Sequence, residues 1–155
     1  MPRLIKDGVI VEDGWREADE DLQRPAADQV ATLDQWLWLE DKSGSAVQLE
    51  PGQAPAPLLD HLDELALVVI NFPVFTDGRG FSYARELRER GFKGELRASG
   101  NFIRDQLTYL QRCGFNAFKM ADEEQLASAL DSLADFSEAY QAAPDRPQPL
   151  FRRRA

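Results

Sequence analysis

Apolar and polar positions alternate in two short runs at the start of the chain, Arg3–Lys6 and Val9–Val11, with Asp7-Gly8 between them. Asp-Gly between apolar runs signals a tight hairpin, because glycine accepts the positive φ of the turn. The spacing predicts two paired antiparallel strands. Residues 16–30 are acidic and contain Pro25, which predicts a loop or a weak helix. The next run ends in Trp36-Leu37-Trp38-Leu39. Its alternation places both indoles as a strand would, in the core or at a subunit interface. "AVQLEPG" reads as a further strand, and Pro51, Pro55 and Pro57 punctuate a linker.

The pattern changes after this linker. "APLLDHLDEL" predicts a short helix, and "ALVVINF" (66–72) is β-branched and apolar on both faces, as in a buried parallel strand. A helix is expected over Ser82–Arg90, with Ser82 as N-cap and Gly91 as its stop. "GELRAS" predicts a second strand. "NFIRDQLTYLQRCG" predicts a helix capped by Asn101 and stopped at Gly114, with Ile103, Leu107 and Leu110 on one face. "FNAFKM" predicts a third strand. Leu126, Leu130, Leu133, Phe136 and Tyr140 step by three or four, which predicts a last helix over about Glu123–Tyr140.

The order β-α-β-α-β-α implies an α/β fold: a small parallel sheet of repeated βα units with right-handed crossovers. It is either partial-barrel-like or an open three-layer arrangement, with an N-terminal antiparallel β-hairpin appendage. A single domain is expected over residues 1–143, with a β-rich part over 1–50 and the βα repeats over 58–143. The segment 144–155, "PDRPQPLFRRRA", is expected to be a flexible basic tail, solvated or docked on an acidic partner.

Composition narrows the function. The chain has 155 residues and 43% apolar content, enough for a real core. No apolar run approaches the ~20 residues that span a bilayer, and the first residues lack the apolar core of a signal peptide. Cytoplasmic localisation is expected. One cysteine, Cys113, and one histidine, His61, leave no Cys/His metal centre. Cys113 is expected to be a buried core residue and His61 an exposed one. The net charge of −9 is uneven: residues 1–76 carry 5 Lys/Arg against 15 Asp/Glu, and residues 77–119 carry 9 against 5. The acidic flanks would repel phosphates, so nucleic acid is not expected as a partner. The basic island suits a small oxyanion or an acidic protein patch.

Parallel strands would bring "PVFTDGRG", "SGN" and "MAD" to one sheet edge, where ligands of α/β sheets bind. Asp77, Gly78, Arg79, Gly80, Arg97, Ser99, Asn101 and Arg104 are therefore the candidates for anion or partner binding, with Lys119 close by. Arg79 between two glycines, ahead of a helix N-terminus, is a reasonable anion cradle. The alternative is that Gly78 and Gly80 serve a tight turn and Asp77 pairs with Arg79 or Arg97. No dinucleotide or phosphate-loop motif is present. No metal and no cofactor are predicted, although a flavin site without a motif stays open.

These residues resemble a known family. "FPVFTDGRGFSYARELRERGFKGELRASGNFIRDQLTYLQRCGFNAF" is similar to the signature of a bacterial family designated domain of unknown function 934. The residues that carry the likeness are Phe72-Pro73, Phe75, Asp77 to Gly80, Ser82, Ala84, Leu96 to Ala98, Gly100, Arg104 to Gln106 and Arg112 to Phe115. The family often has aspartate where Asn101 stands. Its members are commonly labelled probable oxidoreductases involved in sulfite reduction. The resemblance thus implies a place in sulfur assimilation. Two functions follow as expectations: a non-catalytic accessory protein that binds the sulfite reductase, or a small anion-binding enzyme or oxidoreductase with its site at the carboxyl edge. A homo-oligomer is compatible with either. One cysteine cannot hold an iron–sulfur cluster, which usually needs four.

Overall fold

Asp7 and Gly8 both take positive φ, 51° and 83°. The strands on either side, β1 (Arg3–Lys6) and β2 (Val9–Glu12), pair antiparallel as the Asp-Gly signal predicts. The computed structural model describes residues 2–74, 78–102 and 104–139, with Arg104 and residues 134–139 described as backbone alone. The chain continues through β3 (Arg16–Glu17), β4 (Gln29–Thr32), α1 (Leu33–Trp38) and β5 (Ser45–Leu49). A 3-10 turn at Ala56–His61 leads to β6 (Leu65–Phe72), α2 (Arg79–Glu89), β7 (Glu95–Gly100), α3 (Leu107–Arg112), β8 (Ala117–Met120) and α4 (Leu126–Ala139).

The eight strands among the described residues form one sheet in the order β2-β1-β8-β7-β6-β5-β4-β3. β3 to β8 run parallel in chain order, and β1 joins β8 antiparallel. The chain therefore builds consecutive pieces of a β/α barrel, one strand beside the last. The two edge strands, β2 and β3, are neighbours in sequence. Only Asp13, Gly14 and Trp15 lie between them, so Glu12 and Arg16 are at most ~14 Å apart. Eight strands laid flat would hold their edges ~34 Å apart. The sheet resolves the conflict by curling into a half-barrel, with the 13–15 segment strapped across the opening.

The outer face of the curl carries the main core. Val47, Leu49, Val68, Ile70, Phe72, Leu96, Ala98 and Phe118 pack there beneath Trp36, Ala84, Leu87, Leu107, Leu110 and Leu126. The inner face carries a smaller apolar cluster of Ala46, Leu67 and Val69, against which Trp15 and Val30 pack. Parallel β strands buried on both faces explain the unbroken apolar run of β6.

Four local expectations are corrected. The run ending in Trp36-Leu37-Trp38 forms helix α1, because Thr32 caps it: Gln35 N donates to Thr32 Oγ1 at 3.2 Å, and Thr32 N donates to Gln35 Oε1 at 2.8 Å. Positions two apart share a face on a strand but lie ~200° apart on a helix. Trp36 is accordingly fully buried, while Trp38 is 87% exposed. Next, α2 starts at Arg79 and is capped by the Gly78 backbone, so Ser82 lies inside the helix. Asn101 does not cap α3; its side-chain amide donates to Pro73 O at 2.9 Å, and a 3-10 turn at Arg104–Gln106 precedes the helix. Finally, residues 16–30, expected as a loop or a weak helix, contribute β3 and the start of β4, which with β5 extend the parallel sheet.

Candidate ligand site at the mouth of the sheet

Strand register sets the inner face in rows. Leu67 lies opposite Glu95; Val69 lies opposite Arg97, which lies opposite Ala117. At the carboxyl edge, Asn71 lies opposite Ser99 and Ser99 opposite Lys119. Glu50 follows β5 at the level of Asn71, two residues beyond Gln48. Apolar side chains thus fill the β5 and β6 side of the interior, charged ones the β7 and β8 side, and polar ones its mouth.

The charged side is one continuous network. Arg97 donates through Nε to Glu95 Oε2 at 2.9 Å and through Nη1 to Asp13 Oδ1 at 3.0 Å. Its Nη2 lies 2.7 Å from Glu95 Oε2. Lys6 Nζ reaches Glu95 Oε1 at 3.2 Å, and Lys119 Nζ reaches Asp13 Oδ2 at 2.7 Å. The Lys119–Asp13 contact is an ion pair. Asp13 is buried, and its Oδ1 also accepts from Trp15 N at 2.9 Å. Burial pushes the Asp13 carboxyl up, but the Lys119 ammonium, the Trp15 amide and the Arg97 guanidinium outweigh it and hold the group below its ordinary value. Three cations face two carboxylates, so each carboxylate is matched and the network keeps one positive charge in excess.

Above this network lies the mouth row. Gln48 Nε2 and Asn71 Nδ2 donate to the two oxygens of Glu50, at 2.6 and 2.8 Å. Pinning Nδ2 to Glu50 turns Asn71 Oδ1 toward β7, where a Cβ on Gly100 would lie 3.2 Å from it. Ser99 and Lys119 complete the row, both half-buried. Among the described residues no side chain or backbone group bonds the Ser99 hydroxyl. The row therefore runs from a carboxylate through an amide and a hydroxyl to an ammonium, across four adjacent strands.

The candidates from the sequence are distributed around this mouth. Ser99 and Arg97 share the inner face, as their spacing requires, but Arg97 is buried beneath the mouth and engaged by two carboxylates. Asn101 fastens the loop after β6. Arg79 is exposed at the start of α2 and lies against the Gly52 turn, where a Cβ on Gly52 would come within 3.3 Å of its Nη1. Gly80 has a packing role: a Cβ there would meet Phe72 Cε1 at 2.5 Å, so glycine lets α2 lie close on β6. A Cβ on Gly78 would meet nothing within 4 Å. Asp77, with Phe75 and Thr76, lies outside the described residues, as do the Arg104 side chain and the 144–155 segment.

A second concavity lies where the loops into β7 and β8 meet α4, an open cleft of about 1290 Å³. Arg88 acts as a clamp there, donating to the carbonyls of Gly114, Phe92 and Gly94 at 2.8, 2.9 and 3.0 Å. Cys113 is buried at its edge, and its sulfur raises the Arg85 guanidinium beside it. Among the described residues no His, Cys, Asp and Glu group is placed to hold a metal ion. Among them, too, no helix is long and apolar enough to cross a membrane.

Residues 46–151 match the family model described as a bacterial protein of unknown function (DUF934). The chain belongs to the DUF934 family. Among curated proteins no relative matches it. The match spans β6 to β8 and β5 from Ala46, and so includes Asn71, Ser99 and Lys119 of this DUF934 protein, together with the Arg112-Cys113-Gly114-Phe115 corner of the cleft. Asp13 and Lys6, which complete the network, lie ahead of the matched region.

Sequence reasoning did not single out Asp13, Glu95, Lys6, Glu50 or Asn71. A signal existed for two of them. In "AVQLEPG", Gln48 and Glu50 alternate with apolar Val47 and Leu49, which marks one polar face. Asn71 interrupts the apolar run of β6 two positions after Val69. For Asp13 and Lys6 the information is tertiary, because it depends on the strap and on β1 meeting β8.

Proposed function

We infer that this DUF934 protein is a non-catalytic accessory of assimilatory sulfite reduction that docks on the sulfite-reducing enzyme through α1. The metabolic setting rests on the family resemblance. The single observation that carries the docking is the exposure of Trp38, at 87%, beside Leu37 at 49%. A tryptophan this exposed is unusual on a folded surface, and indoles are enriched among the residues that dominate interfaces. The helix cannot turn it inward, because Leu33 and Trp36 already occupy the core-facing side. Exposed Asp34, Glu40 and Asp41 surround the pair in sequence, so the complementary surface is an apolar pocket with a basic rim. A non-catalytic role agrees with the residues: one cysteine cannot hold an iron–sulfur cluster, and each cation of the inner face is engaged by a carboxylate.

The test is co-elution of the purified chain with the sulfite reductase of the same cell. A stable complex is expected. Trp38→Ala should weaken it by about thirtyfold or more, the loss of a central interface aromatic, while leaving the fold intact. A complex that ignores Trp38→Ala and Leu37→Ala would remove α1 as the contact. Failure to associate, with unchanged sulfite-reducing activity in a deletion strain, would remove the accessory role. A flavin or haem band in the absorption spectrum of the purified protein would return the oxidoreductase reading.

A further inference from the structure

We propose that the mouth row Glu50–Asn71–Ser99–Lys119 is a binding site for a small zwitterion, of which an α-amino acid is the simplest class. This goes beyond the docking role and uses no residue of α1. The row is bipolar. At one end, Glu50 fixes the Asn71 amide so that Oδ1, an acceptor, faces β7. At the other, the Lys119 ammonium uses one direction on Asp13 Oδ2, at 2.7 Å, and retains two further N–H donors. Between them, in register with both, stands the Ser99 hydroxyl, which no group among the described residues bonds. A ligand that fits must offer a hydrogen-bond donor to Asn71 and an anionic oxygen to Ser99 and Lys119.

Size agrees with this chemistry. Asn71 and Lys119 are two strands apart, ~9.6 Å along the sheet. An α-amino acid holds its ammonium ~3 Å from a carboxylate oxygen, and a hydrogen bond at each end adds ~2.8 Å. The total of ~9 Å is comparable with the two-strand spacing of the positions that carry Asn71 and Lys119. A bare oxyanion fits less well. Arg97, which could have supplied a second free charge, is engaged by Glu95 and Asp13. The Asp13 and Glu50 carboxylates stand on the same face and repel an unaccompanied anion. The position is also where ligands bind in parallel α/β sheets, at the carboxyl ends of the strands.

The experiment titrates the full chain with each of the twenty common L-amino acids, reading the unfolding midpoint and the heat of binding. Acetate, methylammonium and sulfate serve as controls that carry only part of the pattern. At least one amino acid is expected to raise the midpoint, and the three controls to leave it in place. Ser99→Ala removes one hydrogen bond without disturbing the ion network, and should weaken binding about tenfold with an unchanged amide NMR spectrum away from the mouth. Lys119→Met should weaken it further. Stabilisation by sulfate or acetate equal to that by any amino acid would overturn the zwitterion and leave an oxyanion site. So would binding that survives Ser99→Ala and Lys119→Met unchanged. Indifference to all twenty amino acids would overturn the site itself, and none of these outcomes bears on the complex formed through α1.

Discussion

Asp13 and Arg97 are 84 positions apart in the chain and 3.0 Å apart inside the curl. The contact is what the strap does chemically: it carries a carboxylate from one edge of the sheet onto strands in its middle. Both groups are buried, so each depends on its partners: Arg97 on Asp13 and Glu95, Asp13 on Arg97 and Lys119. Asp13→Asn keeps the shape and removes the charge. It should cost about 3 kcal/mol, as expected when one partner of a buried pair is lost, measured by urea denaturation. A loss near zero would mean that Glu95 alone satisfies Arg97.

The same carboxyl makes stability depend on acid. Its folded-state pKa is held below the ordinary value, so its contribution is fully present above the unfolded pKa of ~3.9 and is lost as pH falls through the folded one. The wild-type protein should therefore lose stability steeply below about pH 4, and Asp13→Asn should flatten that limb while leaving the neutral-to-alkaline region parallel. Denaturation midpoints collected from pH 2 to pH 7 would show the two curves converging at the acid end. Parallel curves throughout would place the acid sensitivity elsewhere.

Gly78 and Gly80 look equivalent in "DGRG" and differ in the fold. Gly80 lies where a Cβ would meet the Phe72 ring at 2.5 and 2.6 Å and Ile70 Cγ2 at 3.0 Å. Gly80→Ala should cost about 1–3 kcal/mol, the range for overpacking a close contact. Gly78→Ala should stay within about 0.5 kcal/mol, since nothing lies within 4 Å and its φ is −79°. Thermal melts of the two variants settle the contrast. If Gly78→Ala leaves stability alone but alters binding, that glycine leaves room for a ligand or partner rather than serving the fold.

Much of this architecture is legible in the sequence because its signals are local. Asp7-Gly8 dictates its hairpin, the three apolar strands β6 to β8 announce a buried parallel sheet, and Gly91 and Gly114 end their helices where expected. The failures have physical reasons. Trp36-Leu37-Trp38-Leu39 has the period of a strand, and a capping box of Thr32 and Gln35 overrides it. Ser82 and Asn101 have the chemistry of caps, but close packing by Gly80 starts α2 earlier and Pro73 O captures the Asn101 amide. At the site, Ser99 could be placed from sequence because its strand and edge are local facts. Its neighbours could not be, because which polar residues share the mouth depends on strand register and on a strap joining opposite edges.

Trp36 and Trp38 should separate cleanly in stability and spectrum. Trp36 donates from Nε1 to Ser45 Oγ at 2.9 Å in a fully buried setting, and its ring meets the His61 ring edge-on at 5.4 Å. Ser45→Ala leaves that indole N–H without its acceptor and should cost about 1–3 kcal/mol. Trp38→Ala should cost less than about 0.5 kcal/mol and shift the fluorescence maximum to shorter wavelength, since the most exposed indole is removed. A large destabilisation by Trp38→Ala would show that the side chain packs within the fold, and would withdraw the surface on which docking through α1 depends.

The Arg88 clamp provides the last test, because it ties two loops that no strand pairing joins. Its guanidinium holds the carbonyls of Phe92 and Gly94 after α2 and that of Gly114 after α3. A Cβ on Gly114 would meet Arg88 Cγ at 2.5 Å, and the Gly114 φ of 113° is one that side chains disfavour. Arg88→Met retains much of the aliphatic stem and removes the guanidinium, with its three carbonyl hydrogen bonds and its place over the Phe92 ring, so it separates the head group's interactions from the packing of the stem. It should cost about 2 kcal/mol and speed amide exchange at Phe92, Phe115 and Asn116, while leaving exchange in β5 and β6 unchanged. Gly114→Ala should destabilise the same corner through strain and contact, and the double variant should cost less than the sum, because the clash partner has been removed. Full additivity would mean that Arg88 and Gly114 act separately, and that the corner is held by the backbone alone.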